Sequence, residues 1–279
     1  MASDRPQVTG ETPRRVVSLN LCTDQLAALL LPPERIAALS FLSRDEGLSH
    51  VAGLARDLPV VQGMAEEVLE LAPDLVLAGS FTTRPTVALL KARGVPVLEL
   101  GLISNFDDIR TQTREIAAAL GVPERGEELL KEMEAKLAAA APSDAARPSA
   151  LTFAPGGFTA GSGTLSDAVM QAAGLENYAA GQGLIGYGYL PVETVAASPP
   201  DLLVADTDPD GYPSLSGRLL AHPALARSVG PEARPQVPGS LWTCGGPFTA
   251  DAVTLLAEAR ARLLQRAAPQ VAQAPERSP

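Results

Sequence analysis

Histidine and cysteine each occur only twice in 279 residues, aromatic side chains make up 4% of the chain, and 22 basic residues face 32 acidic ones. Each scarcity excludes something. With only His50 and His222, a transition-metal site built from several imidazoles is impossible, and a carrier of bare zinc or manganese ions is disfavoured. A Ser-His-Asp triad would need one of those two. His222 stands in Ala221-His222-Pro223, a structural setting after a helix, and no nucleophile-elbow pattern accompanies it. The net charge of −10 argues against nucleic acid, whose affinity comes from cationic contacts with phosphates. No apolar run approaches the roughly 20 residues that span a bilayer; residues 26–31 fall far short. The first six residues are polar and lack the apolar core of a secretion signal. That leaves two readings, a cytoplasmic chain or an exported one whose signal has been removed.

What is present is a phrase stated twice. Glu66 is followed by Pro73-Asp74-Leu75-Val76-Leu77-Ala78, and Glu193 by Pro200-Asp201-Leu202-Leu203-Val204-Ala205. In each copy a short helical run follows the Glu, Pro-Asp breaks it, and an apolar strand begins. A unit repeated at about half the chain length suggests two lobes of similar build, each with one exposed carboxylate at an equivalent place. Length and a hydrophobic content of 46% allow two ordinary domains.

The pattern along the chain is α/β. Strands are expected at residues 15–20, 36–40, 58–61, 75–78 and 97–100, alternating with helices that include 85–92, the order of a parallel sheet wrapped by helices. Residues 105–120 place Phe106, Ile109, Thr113, Ile116 and Leu120 on one helical face. A second helix, 123–141, has no strand after it until Pro148, so it can cross from one lobe to the other. The second half repeats the theme with strands at 150–154, 202–205 and 235–237 and helices at 165–173, 191–197 and 249–265. Domain boundaries follow: a tail at 1–13, a lobe at 14–122, a linking helix and linker at 123–147, a second lobe at 148–266 and a disordered tail at 267–279.

Two glycine-rich stretches imitate nucleotide motifs. Gly181-Gln182-Gly183-Leu184-Ile185-Gly186 matches G-x-G-x-x-G, but no strand precedes it and no helix opens within it, so it reads as a loop. The run from Gly156 to Thr164 has Ser162 where a phosphate loop needs Lys. Cys22 and Cys244 flank strand-to-helix turns, which in open α/β sheets face the ligand crevice. A disulfide, two inert thiols and a ligand contact all remain open for them. Phe41, Phe81, Phe158, Tyr187, Tyr189, Tyr212 and Trp242 all read as loop residues, which favours a large, partly flat ligand.

Taken together, Arg15-Val16-Val17-Ser18-Leu19-Asn20 with Thr23-Asp24, Gly63-Met64 through Pro73-Asp74-Leu75-Val76, Phe158-Thr159-Ala160-Gly161 and Gly174-Leu175-Glu176-Asn177 resemble the periplasmic substrate-binding proteins that serve ABC importers of cobalamin, ferric siderophores and haem. The resemblance covers about residues 14–266. It implies two Rossmann-like lobes with mainly parallel sheets, joined by one long backbone helix, with a ligand cleft between them. It also implies a periplasmic, non-enzymatic monomer with no cofactor or resident metal. Its cargo would be a metal chelate, and its partner the importer's transmembrane subunits, whose arginines grip one Glu on each lobe. Glu66 and Glu193 are the matching positions, with Glu67 the neighbour that confuses the assignment. The ligand set it suggests is Leu21, Cys22, Thr23, Phe41, Arg44, Phe81, Arg84, Phe158, Tyr187, Tyr189, Tyr212 and Trp242. Arg44, Arg84 and Tyr187 would meet an anionic siderophore, Tyr187 or Tyr189 would ligate haem, and the aromatics suit cobalamin. Iron chelate and cobalamin stand level, haem third. A nucleotide-dependent α/β enzyme and a cytoplasmic interaction module are the readings from other classes.

Overall fold

Parallel strands covered on both faces read as apolar runs, and the strands of the first sheet do. They are β1 (Val16–Ser18), β2 (Ile36–Ser40), β3 (Val60–Val61), β4 (Leu75–Gly79) and β5 (Val97–Leu100). The computed structural model describes residues 12–80, 82, 84–205 and 228–267, and in it these strands lie in the order β3-β2-β1-β4-β5, all parallel. From β1 the chain builds outward in one direction to β2 and β3, then returns to add β4 and β5 on the other side. The reversal makes the C-terminal ends of β1 and β4 a topological switch point, where open α/β sheets hold their ligands.

A second, smaller parallel sheet comprises β6 (Ser149–Phe153), β8 (Glu176–Asn177) and β10 (Leu202–Ala205), in the order β10-β6-β8. Beside it lies an antiparallel ribbon of β7 (Phe158–Ala160) and β9 (Tyr187–Tyr189). The ribbon differs from the sequence expectation, in which Phe158, Tyr187 and Tyr189 were loop residues. Three-residue strands flanked by glycines carry little periodic signal. Gly157 shows what the glycines are for: its φ is +84°, and a Cβ there would crowd the Leu190 carbonyl that passes it. Residues 235–237 also differ, showing a single bridge position at Gln236 and no strand. The G-x-G-x-x-G stretch is the end of one helix turn, α8 (Tyr178–Gly181), and the loop leading into β9.

Helices cover the sheets. Those of the first half are α1 (Leu21–Leu30), α2 (Ala52–Ala55), α3 (Ala65–Glu70), α4 (Arg84–Ala92) and α5 (Phe106–Ala119). Then comes α6 (Pro123–Ala140), opened by a proline whose missing N–H costs nothing at that position. The second half has α7 (Leu165–Ala172), α8, α9 (Val192–Ala197) and α10 (Thr249–Ala267). Helix α6 belongs to both cores. Leu129 is buried with α1 and the first sheet, while Leu130 and Met133 are buried with α7, α10 and the second sheet. Arg260 of α10, 5% exposed, fastens the following linker by donating to the carbonyls of Gly174 and Ala146 and pairing with Asp144.

The repeated phrase has one structural meaning in both halves. Asp74 sits one residue before β4 and accepts backbone N–H bonds from Arg14 (2.6 Å) and Arg15 (3.0 Å), just before β1. Asp201 sits one residue before β10 and accepts from the backbone N–H of Ser149 (2.8 Å), at the start of β6. The registers agree, with Val16 opposite Leu75 and Ala150 opposite Leu202. Each Asp therefore clasps the first strand of its lobe to the strand that the Asp precedes, filling the donors that a sheet end leaves unpaired.

Hydrogen bonds to a charged acceptor contribute about 1.5–3 kcal/mol when shielded and less when exposed. Replacing Asp74 or Asp201 with Ala should each cost about 1–2 kcal/mol in urea unfolding, and Asn, which keeps one acceptor oxygen, should recover part of it. Equal stability in all four variants would show that the clasp contributes nothing.

Candidate functional site

Two adjoining cavities open where the C-terminal edges of both sheets meet. The inner one, about 120 Å³, is walled by Asn20, Cys22, Thr23 and Leu26 after β1, Gly79 and Ser80 after β4, and residues 100–103 after β5. From the second half come Leu165, Tyr187 and residues 242–245. The outer one, about 310 Å³, is walled by Thr152 to Ala154 at the end of β6, by β7, and by Ser166 and Val204. Tyr187, Trp242 and Thr243 line both, so the cavities form one cleft. The N-termini of α1 and α7, one from each half, both face it, bringing the partial positive charge of two helix dipoles.

Among the described residues, none that lines either cavity is Asp, Glu, Lys, Arg or His. Most of the polar side chains are committed to nearby backbone. Asn20 caps α1 by accepting from Cys22 N–H (2.9 Å), and the Thr23 hydroxyl donates to the Asn20 carbonyl (2.9 Å). Ser80 donates to the Leu100 carbonyl (2.9 Å), Gln112 to that of Gly101 (3.1 Å), and Thr243 to that of Gly239 (2.8 Å). What the cleft presents is therefore mainly apolar and aromatic surface. At its mouth the ribbon holds an aromatic cluster: Phe158 stacks on Tyr187 with ring centroids 5.9 Å apart and planes 4° apart, and meets Tyr189 edge-on at 5.4 Å. Tyr187 is 61% and Tyr189 70% exposed. The desolvation that Tyr187 does undergo raises its phenol pKa above the usual tyrosine value, so it stays protonated at neutral pH.

The residues named from sequence fall into three groups. Cys22, Thr23, Phe158, Tyr187 and Trp242 line the cleft, and Tyr189 packs against Phe158 beside it. Leu21, Phe41, Arg44 and Arg84 line neither cavity. Leu21 is buried as the first residue of α1, and Phe41 and Arg84 are exposed elsewhere on the surface. Arg44 reaches back to the carbonyls of Ala55 (3.3 Å) and Leu58 (2.6 Å), pinning the α2 loop. Phe81 and Tyr212 lie outside the described residues, as do His222 and most of both tails. Sequence reading missed Asn20, Ser80, Ile103, Gln112 and Thr243. Asn20 and Ser80 had a signal, since each lies one or two residues past a central strand.

The two cysteines form a disulfide, Cys22 to Cys244, with Cα atoms 5.1 Å apart. Glu66 and Glu193 each occupy the first turn of a short helix, α3 and α9, and both are exposed. Neither forms an ion pair with another described residue. Glu67 is half-buried and accepts from the Gln62 N–H (2.9 Å), which separates it from its exposed neighbour. Among the described residues no group of three or more His, Cys, Asp or Glu could hold a metal ion.

Comparison with known proteins places these features in a wider set. The sequence profile of a periplasmic binding protein family matches residues 16–228. The cobalamin-binding protein of Halobacterium salinarum is 29% identical over 173 residues, 60% of this chain and 47% of that protein. The chain thus spans about half the length of the curated relatives it matches. The periplasmic heme-binding protein RhuT from Roseiflexus sp. RS-1, in apo form, superposes with a TM-score of 0.71 at 28% identity, over 88% of this chain and 98% of that one. The periplasmic vitamin B12 binding protein BtuF of Vibrio cholerae shares the fold, with a TM-score of 0.64 at 17% identity, over 91% and 98%.

Beneath the cleft lies Asp24, fully buried in α1, where it accepts from the Ser40 N–H (3.1 Å) and hydroxyl (2.5 Å) and so ties α1 to β2. Burial outweighs these bonds and raises its pKa from 3.8 to about 7. Between those values the folded chain holds a proton that the unfolded chain releases. Its contribution to stability is therefore full below pH 4 and is lost as pH rises through 7. Asp24→Asn keeps an acceptor for Ser40 but cannot titrate. Between pH 5 and pH 8 the wild-type chain should lose about 2–3 kcal/mol relative to this variant, read from urea unfolding at both pH values. Parallel pH profiles would refute the buried-proton account.

Proposed function

Because the chain belongs to the periplasmic binding protein family, we propose that it is the extracytoplasmic capture subunit of an ABC importer, binding a metal chelate in the cleft without any catalytic step. The observation that carries this reading is the position and chemistry of the cleft. It lies at the C-terminal edges of both sheets, and its described walls are aromatic and carry no charged side chain. That absence of charged side chains among the described lining residues ranks the candidates. Ferric siderophores and the propionates of haem carry negative charge, which costs heavily to bury without a cationic partner. A corrinoid presents a broad ring edged with neutral amides, which suits aromatic faces and two helix N-termini. We therefore rank cobalamin first. The cavities together are small beside such a ring, so its face would rest on Phe158, Tyr187 and Tyr189 while one edge enters the cleft.

Haem is the second reading, favoured by the exposed phenols of Tyr187 and Tyr189 and by the likeness to a heme-binding protein. The Cys22–Cys244 disulfide supports an oxidising compartment outside the cytoplasm. Glu66 and Glu193, exposed and without an ion pair among the described residues, stand at equivalent places in the repeat and are proposed as the contacts to importer arginines. Their chain positions support this, and a working monomer suffices for it.

Titration with cyanocobalamin, haemin, a ferric hydroxamate and ATP should give saturable binding for cyanocobalamin, weakened by about ten- to a hundredfold in Tyr187→Ala or Trp242→Ala. Binding of haemin alone, with a phenolate charge-transfer band that Tyr187→Phe abolishes, would replace the corrinoid reading. No binding of any chelate would remove the capture reading. In cells, the double variant Glu66→Arg/Glu193→Arg should lose uptake while the purified protein keeps its affinity; normal uptake would exclude the docking role.

A further inference from the structure

The loop at residues 242–248 reaches from the second lobe to the first at three points. Cys244 is bonded to Cys22 of α1. Gly245 lies so close to Ile103 that a Cβ there would overlap it. Phe248 stacks on His50, with ring centroids 4.6 Å apart and planes 14° apart. Only the first of these is covalent, and that bond is part of the wall of the inner cavity, beside Trp242 and Tyr187. We infer that the Cys22–Cys244 disulfide holds the two lobes at the spacing the ligand requires, so that it determines ligand affinity as a positioning element in addition to stabilising the fold. This rests on the cleft being the ligand site.

Helix α6 packs on both cores and sets the angle between the lobes, but none of its residues lines the cleft. The separation of the two cleft walls is left to contacts at the cleft itself, and a covalent one there fixes it. The disulfide can act this way because both of its ends are rigid. Cys22 is held in the first turn of α1 by the Asn20 cap (2.9 Å). On the other side, Thr243 donates both its N–H and its hydroxyl to the Gly239 carbonyl (2.8 Å each), and Gly246 N–H donates to the Thr249 hydroxyl at the start of α10 (3.1 Å). A bond between two floppy loops would transmit nothing. This one links two helix N-terminal regions, and the cavity shares its walls with them.

The direct test compares the oxidised wild-type chain with Cys22→Ser/Cys244→Ser, after circular dichroism has established that the variant is folded at the assay temperature. Two readouts are taken, affinity for cyanocobalamin and amide hydrogen exchange without ligand. The inference expects affinity to fall about tenfold, as when only a tenth of the molecules hold the competent spacing. It also expects faster exchange at residues 101–105 and 242–246, with β1, β4 and β6 unchanged. Equal affinity and equal exchange in a folded variant would overturn it. If the wild-type chain binds no cyanocobalamin, the ligand reading fails separately, while the exchange comparison still decides the coupling between lobes. Should the double variant not fold, the reduced wild-type chain is bridged by one methylene between the two sulfurs. That tie preserves the covalent link but is one atom longer, so affinity should fall about threefold; affinity equal to that of the disulfide form would overturn the inference.

Discussion

One helix has to satisfy two cores. Helix α6 places Leu129 among the side chains of the first sheet and Leu130 and Met133 among those of the second. Neighbouring residues on a helix point about 100° apart, so successive positions can be buried against different partners without bending the backbone. The rest of the arrangement depends on this sharing. Because both sheets pack on the same rod, with α5 and α10 alongside it, their C-terminal edges are brought toward each other, and the cleft is what lies between those edges. A flexible linker of the same length would join the lobes without fixing the angle between them.

The long elements were legible in the sequence for a plain reason. Residues 36–40, 97–100 and 202–205 are apolar runs closed by breakers, and strands form at those bounds. Residues 105–120 and 123–141 carry helical periodicity, and the helices agree to within one residue at each end. The Pro-Asp repeat was visible as a break before a strand, but not as a clasp. The partners of Asp74 and Asp201 lie 59 or 60 and 52 residues away, and a sequence pattern does not say which distant N–H groups are left unpaired. The ribbon of β7 and β9 was missed because three residues give too few alternations to define a period.

The lining of the cleft was legible in part. Tyr187, Trp242 and Phe158, which line it, stood out because aromatics in glycine-rich surroundings have few structural reasons to be there. Arg44 lines neither cavity, and a guanidinium looks the same in sequence whether it meets a ligand or two carbonyls of its own loop. Ile103, Gln112 and Thr243 carry no signature of their own. They reach the cleft because the segment after β5, the middle of α5 and the loop before α10 pass beside it, which only the packing reveals.

The uncharged lining has a kinetic side. Without a charged side chain among its described walls, the cleft steers an approaching ligand only through the partial charges of two helix N-termini. The acidic body around it, with a net charge of −10, repels small anions at low ionic strength and is screened within about 8–10 Å in physiological salt. Association of a neutral ligand would then vary little with salinity. Discrimination among neutral ligands falls to how long each remains bound, and so to the departure rate from the aromatic shelf.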